Sequence, residues 1–236
     1  MAHYPELIQR AFLKTQRMLG LHYRPVIQIE CDSVRLGSVY GGWAICPDNI
    51  DQHSIVYSFG VGEDISFDMA MIAQYDCRVF AFDPTPRSIQ WIQNQSLPEK
   101  FHFFDVGIAN YDGYANFFPP TNNRYVSFTV VENTFPTNEV VEAPVKKLET
   151  IASDLEHSHI NILKLDIEGA EYDVLPDLLT SGIKIDQILV EFHHRFSSVS
   201  VQQTQTAIDQ LNEHGYKLFY VSKSGEEYSF INEGIV

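Results

Sequence analysis

Acidic residues and histidines collect in this sequence at points where an apolar run gives way to a turn. One such point is Lys164-Leu165-Asp166-Ile167-Glu168-Gly169-Ala170-Glu171, and another is Val190-Glu191-Phe192-His193-His194. A carboxylate beside an imidazole can take a proton from an acceptor group, so Asp166 with His193 or His194 forms the candidate acid–base set. Alternation along an extended chain sends the two histidines to opposite faces, so one of them is expected to serve. The same groups have a second use. Asp166, Glu191 and His193 offer the oxygen and nitrogen donors that Mg²⁺, Mn²⁺ or Zn²⁺ accept. A structural use competes with both: Glu168 and Glu171 can cap the following helix, where the dipole favours carboxylates.

A different chemistry is written upstream in Phe59-Gly60-Val61-Gly62-Glu63-Asp64. Two glycines at the end of an apolar run let the backbone turn and approach a ligand closely. Asp83-Pro84 ends the next apolar run, about 20 residues later, where an acid can bind ribose hydroxyls. Together they point to an adenosyl cofactor held by Phe59, Gly60, Gly62, Asp64, Asp83 and Pro84. Asp105 and Gly107 end a third run, with Asp105 placed to accept from the adenine amino group and Gly107 small enough to leave room for the ring. Three features favour S-adenosylmethionine (SAM) over a dinucleotide. Ile65 stands where G-x-G-x-x-G needs its third glycine. SAM has no pyrophosphate to require that close approach. The pair Glu63-Asp64 would repel phosphates and attract a sulfonium and an amino group.

These turns need strands behind them. Ile55 to Phe59, Arg78 to Phe82, Phe101 to Val106, Asn161 to Leu165 and Gln187 to Phe192 are short apolar runs of the kind that form buried parallel strands. Helical patterns separate them over 65–75, 88–95, 148–155 and 170–179, and a further helix is expected from Ser200 to His214. Tyr216 to Ser222 and Glu226 to Ile231 flank a turn at Ser224-Gly225 and read as a terminal hairpin. The pattern implies an α/β fold: a doubly wound, mostly parallel seven-stranded sheet with a C-terminal antiparallel hairpin. Residues 1–50 read as an extension, with a helix from Tyr4 to Leu19 and an extended piece over 26–46 that could lid the domain of 51–236. Residues 116–145 are too irregular to assign, as extra strands or as a loop over the site.

The stretch from Lys164 to Glu171 resembles the K-x-D-x-E-G-x-E signature of FkbM-type methyltransferases. Tyr57-Ser58-Phe59-Gly60-Val61-Gly62, Phe82-Asp83-Pro84 and Val190-Glu191-Phe192-His193 are similar to motifs of the same family, and the resemblance runs from about residue 54 to 196. It implies a Rossmann-like SAM methyltransferase fold, SAM as cofactor, and O-methylation of a sugar or other small-molecule hydroxyl. The sequence departs from the wider class at Ser58, where an acid is common, and at Asp64, where a third glycine is common. Asp64 is therefore the candidate for the methionine end of SAM. A nicotinamide oxidoreductase and a non-catalytic SAM-fold binding module are the alternatives.

Composition narrows the partners. The formal net charge is −15 over 236 residues, without a basic cluster of the kind that nucleic acid requires. A small molecule or a neutral, sugar-like acceptor fits better. No apolar run approaches the roughly 20 residues of a membrane span, and the first residues have neither the basic nor the apolar region of a secretory leader. Cys31, Cys46 and Cys77 lack C-x-x-C spacing. They are expected to be free thiols in a reducing cytoplasm.

Overall fold

The computed structural model describes residues 25–118, 140–194 and 199–235. The helix expected over Tyr4 to Leu19 lies outside them, as does 119–139 of the irregular stretch. The main sheet has seven strands: β3 (Ile55–Phe59), β4 (Arg78–Phe82), β5 (Phe101–Phe104), β9 (His159–Leu165), β10 (Lys184–Glu191), β11 (Tyr216–Val221) and β12 (Glu227–Asn232). Their spatial order is β11-β12-β10-β9-β3-β4-β5. Six strands run in one direction, and β12 alone inserts antiparallel, between β10 and β11. This is the Rossmann-like methyltransferase sheet, with the reversal of strand order falling between β3 and β9.

Each central strand buries both faces, which is why it reads as an unbroken apolar run. Alternate residues go to opposite sides. Tyr57, Phe82, Leu163 and Val190 join one core, packed under α3 (Leu148–Asp154), α4 (Glu171–Thr180) and α5 (Val201–Glu213). Val56, Ala81, Ile162 and Leu189 join the other, with Phe67 and Met71 of α1 (Ser66–Tyr75) and Ile92 of α2 (Pro86–Ile92). Helix α5 starts where its sequence says it should: Ser200 and Gln203 form a reciprocal capping box.

Two small sheets flank the large one. β1 (Val34–Leu36) and β2 (Trp43–Ile45) form an antiparallel hairpin whose Trp43 and Ile45 enter the second core. β6 (Gly107–Ile108), β7 (Gly113–Phe117) and β8 (Val141–Lys146) form a three-stranded sheet in the order β6-β8-β7. The irregular stretch thus supplies extra strands at both of its described ends.

The expectation of three free thiols is corrected. Cys31 and Cys46 form a disulfide, with Cα atoms 6.0 Å apart, and Cys77 is the remaining thiol, buried. Spacing hid the pair because β1 and β2 fold back on each other and bring the hairpin's two flanks together over Phe219 and Ile231. The thiol argument for a reducing compartment goes with it. Among the described residues no helix is long and apolar enough to cross a membrane.

Candidate functional site

A cavity of about 760 Å³ opens over the carboxyl ends of β3, β4, β9 and β10. Open α/β sheets place ligands at this end, where the strand order reverses. Gly60 turns the chain off β3 with φ +79°, and a Cβ there would run into the backbone oxygen of Asp166. Only glycine lets the ends of β3 and β9 come this close. Gly62, at φ +55°, is the converse case: a Cβ would meet nothing within 4 Å, so its missing side chain is open cavity.

Asp83 lines the cavity, yet its carboxylate is already engaged. Oδ2 accepts from the backbone N–H groups of Val61 (3.1 Å) and Gly62 (3.0 Å), and Oδ1 accepts from the backbone and hydroxyl of Thr85 (2.9 and 2.6 Å). Asp83 is therefore the clamp of the glycine loop, and a ribose would have to share or displace those donors. Glu63 is ion-paired with Arg87 at 2.8 Å. Asp64 accepts from Ser38 Oγ (2.7 Å) and from the Ser66 backbone (2.8 Å) at the start of α1. Burial pushes its carboxyl up, and the Ser66 and Ser38 hydrogen bonds outweigh burial and hold it below the ordinary value. Phe59, Pro84 and Gly107 line the cavity with them. Asp105 does not: it is exposed and outside the lining, because β5 stops at Phe104 and the chain turns away. The structure thus does not bring Asp105, expected at the adenine edge, together with the other cofactor-site residues.

At the other end, Asp166, Glu168, Glu191, Glu226 and Glu227 line the wall. Register brings them together from three adjacent strands, since Leu165 pairs with Val190 and Glu191 pairs with Glu227. Burial raises the carboxyl of Asp166 above the ordinary range against the pull of Lys164. Burial and the nearby Asp166 raise that of Glu191. Glu168 is held at φ +53°, a left-handed conformation that a non-glycine residue adopts at a cost of the order of 1 kcal/mol. Such strain is maintained where the surrounding structure fixes it.

Neither histidine lines the cavity. His193 is buried behind the acids, with Nδ1 at 2.8 Å from Glu171 Oε1 and Nε2 at 3.3 Å from Glu168 Oε2. Burial opposes its protonation, but Glu171 and Glu168 together raise its pKa well above the usual imidazole value. Both ring nitrogens of His193 therefore face carboxylates behind the wall, and His194, also buried, likewise stands outside the lining. Ligand atoms of Asp166, Glu191 and His193 do lie within 4.8 Å of one another. The two carboxylates offer the oxygen donors that a divalent cation accepts, while the ring nitrogens of His193 are already set against Glu171 and Glu168. Glu171, fully buried, accepts from the N–H groups of Ile167 (3.2 Å) and Gly169 (3.0 Å), so it serves both the turn and His193.

Several site residues escape sequence reasoning. Lys164 donates from Nζ to Gly60 O at 2.8 Å and lies 5.6 Å from the Trp43 ring centre, tying β9, the glycine loop and the hairpin together. Its place in the K-x-D-x-E-G-x-E pattern was the available signal. Tyr40 to Trp43 form a wall from the N-terminal hairpin, and Glu226 and Glu227 come from the hairpin at the other end of the chain.

The model of the methyltransferase FkbM domain matches residues 50–218. The chain belongs to this family. The FkbM match takes in the glycine loop, the Asp83 clamp and the acids of β9 and β10. Among curated relatives, probable methyltransferase-like protein 24 of the rat is 25% identical, and its human counterpart 23% identical. Each alignment covers 86% of this chain and 56% of the relative, so the FkbM chain spans about half the length of the curated relatives it matches. Among solved structures, the fibrillarin pre-rRNA processing protein of Methanococcus jannaschii aligns with 8% identity and a TM-score of 0.47, over 86% of this chain and 83% of that one.

Proposed function

We propose that this protein is a SAM-dependent methyltransferase acting on a hydroxyl of a small molecule or sugar. The observation that supports it best is the shape of the switch-point cavity: open space over Gly62 at one end and Asp166 facing in at the other, within a chain of the FkbM family. SAM supplies a methyl group on a sulfonium, a leaving group that needs little help, so the protein's task is positioning. Gly60, Gly62 and the Asp83-clamped loop shape the cofactor end, and Asp64 is the acid nearest the sequence position expected to meet the methionine part. Tyr40 to Trp43 close one wall, which is how the segment before residue 51 serves the domain of 51–236.

Asp166 is the group we assign to the acceptor. Its raised pKa makes it a better proton acceptor than an ordinary carboxylate. In the transfer, the acceptor oxygen forms a bond to the methyl carbon, the carbon–sulfur bond breaks with its electron pair going to sulfur, and the acceptor proton passes to the Asp166 carboxylate. No step is routed through a metal. The test is Asp166→Asn, assayed with methyl-labelled SAM. The reading expects turnover to fall by about 10²-fold or more, with SAM affinity little changed. Full turnover in the variant would remove Asp166 from the mechanism, and SAM binding without turnover on any acceptor would favour a binding module.

A further inference from the structure

The loop between β1 and β2 does more than wall the cavity. Its Ser38 is held against Asp64, an acid of the glycine loop that lines the cavity. The Ser38 hydroxyl accepts from the backbone N–H groups of Gly41 (2.8 Å) and Tyr40 (3.1 Å). Those donors occupy its lone pairs, so its own proton is directed to Asp64 Oδ2, at 2.7 Å. The bond closes a ring. Ser38 N–H donates to Ser66 Oγ (2.7 Å), and Ser66 N–H donates to Asp64 Oδ1 (2.8 Å). Both carboxylate oxygens are thus fixed by groups that stand outside the cavity lining. Gly41 lies directly against the same carboxylate: a Cβ there would come within 2.6 Å of Asp64 Cγ and Oδ2. Arg35 fixes the loop in turn by donating to the carbonyls of Ser38 (2.6 Å) and Val39 (3.1 Å).

An ionised carboxylate has about four acceptor positions, and this ring takes one on each oxygen of Asp64. Burial works against the charge, and the Ser66 and Ser38 bonds, with a smaller pull from Lys164, outweigh it. Of the two acids of the loop, Glu63 is paired with Arg87 at 2.8 Å. Asp64 is the one fixed in direction by hydrogen bonds to its backbone surroundings and to Ser38. A carboxylate kept ionised and fixed in place on a cavity wall is the partner that an ammonium group requires. SAM carries such a group on its amino-acid end, and its adenosine end has none.

We propose that Ser38 is a positioning residue of the cofactor site, holding the Asp64 carboxylate in place to receive the ammonium group of SAM. This rests on the SAM-dependent reading above. It adds that the hairpin before residue 50, where the FkbM match begins, supplies part of the cofactor site. Ser38 touches no ligand in this account: it acts through Asp64, and its effect is confined to ligands that carry the amino-acid end.

Calorimetry on the full chain compares SAM with methylthioadenosine, which keeps the adenosine and lacks the amino-acid end. Ser38→Ala should weaken SAM about tenfold and leave methylthioadenosine unchanged; the retained binding also shows that the variant is folded. In Asp64→Asn the carboxylate charge is gone, so adding Ser38→Ala should cost SAM nothing further. Equal weakening of both ligands overturns the proposal, because the loop would then only support the fold. So does an unchanged SAM affinity in Ser38→Ala, or a loss that recurs in full in the Asp64→Asn background. A wild-type chain that binds no SAM removes the underlying reading, whereas SAM binding that is indifferent to Ser38→Ala removes the Ser38 assignment alone.

Discussion

His193 illustrates how one buried partner changes what a residue can do. In sequence it is a histidine at a strand end next to acids, which describes a general base equally well. The deciding fact is Glu171, folded fully into the interior by helix α4 and set against Nδ1 at 2.8 Å. That packing is a tertiary outcome, and the spacing of the two residues does not reveal it. Asp166 and Glu191 were legible because strand ends at a switch point must face the ligand; the clamp made by Asp83 was not, since the same residue type binds ribose in a dinucleotide site. Two predictions belong at this scale. Removing the imidazole in His193→Ala leaves buried Glu171 without its charge partner, which costs about 3–5 kcal/mol, read as a lower denaturant midpoint than that of His194→Ala. The second concerns pH. His193, Asp166 and Glu191 all have raised pKa values in the fold. The native state then binds more protons than the unfolded chain, so their stabilising contribution is complete at low pH and lost as pH rises through the raised values. Denaturation of the ligand-free protein should show stability falling from mildly acid to alkaline pH; stability that rises over that range would contradict these assignments.

The elements of the main sheet were readable with small errors at their ends, because buried parallel strands and amphipathic helices each carry a local period. The helix expected over 88–95 runs instead from Pro86 to Ile92, with proline in the first turn. The small sheet was not readable. Its β6 pairs in parallel with β8, Gly107 with Val145, across a stretch too long for local pattern to announce. The contact between β3 and β9 is the joint on which the cavity depends. Gly60→Ala places a methyl group against the Asp166 carbonyl in a left-handed conformation, so the strand ends must part. We expect a lower melting temperature together with loss of SAM binding. Retention of both would mean that the joint is not rigid.

At the scale of the molecule, the disulfide links the chain's first described segment to the wall of the cavity. Cys46 is anchored independently, because the Gln187 side chain donates to its carbonyl (2.7 Å) and accepts from its N–H (2.8 Å). Reduction should therefore loosen the Cys31 side of the hairpin first. Closing a loop of 15 residues is worth about 3 kcal/mol, so reductant, or Cys31→Ser, should lower the melting temperature by several degrees; an unchanged melt would show that the clamp adds nothing to stability. The charge of −15 is legible in composition alone, while the acids that give the cavity its character come together from distant parts of the chain.

The account stands or falls on SAM entering the space over Gly62. The direct measurement is calorimetric titration of the full chain with SAM, beside Gly62→Asn. Asparagine tolerates the left-handed backbone at this position, so the variant should fold, and its side chain would fill the open space. The account predicts one SAM bound per chain at micromolar affinity in the wild type and none in the folded variant. Absence of binding to the wild type, or equal binding to both, would contradict it.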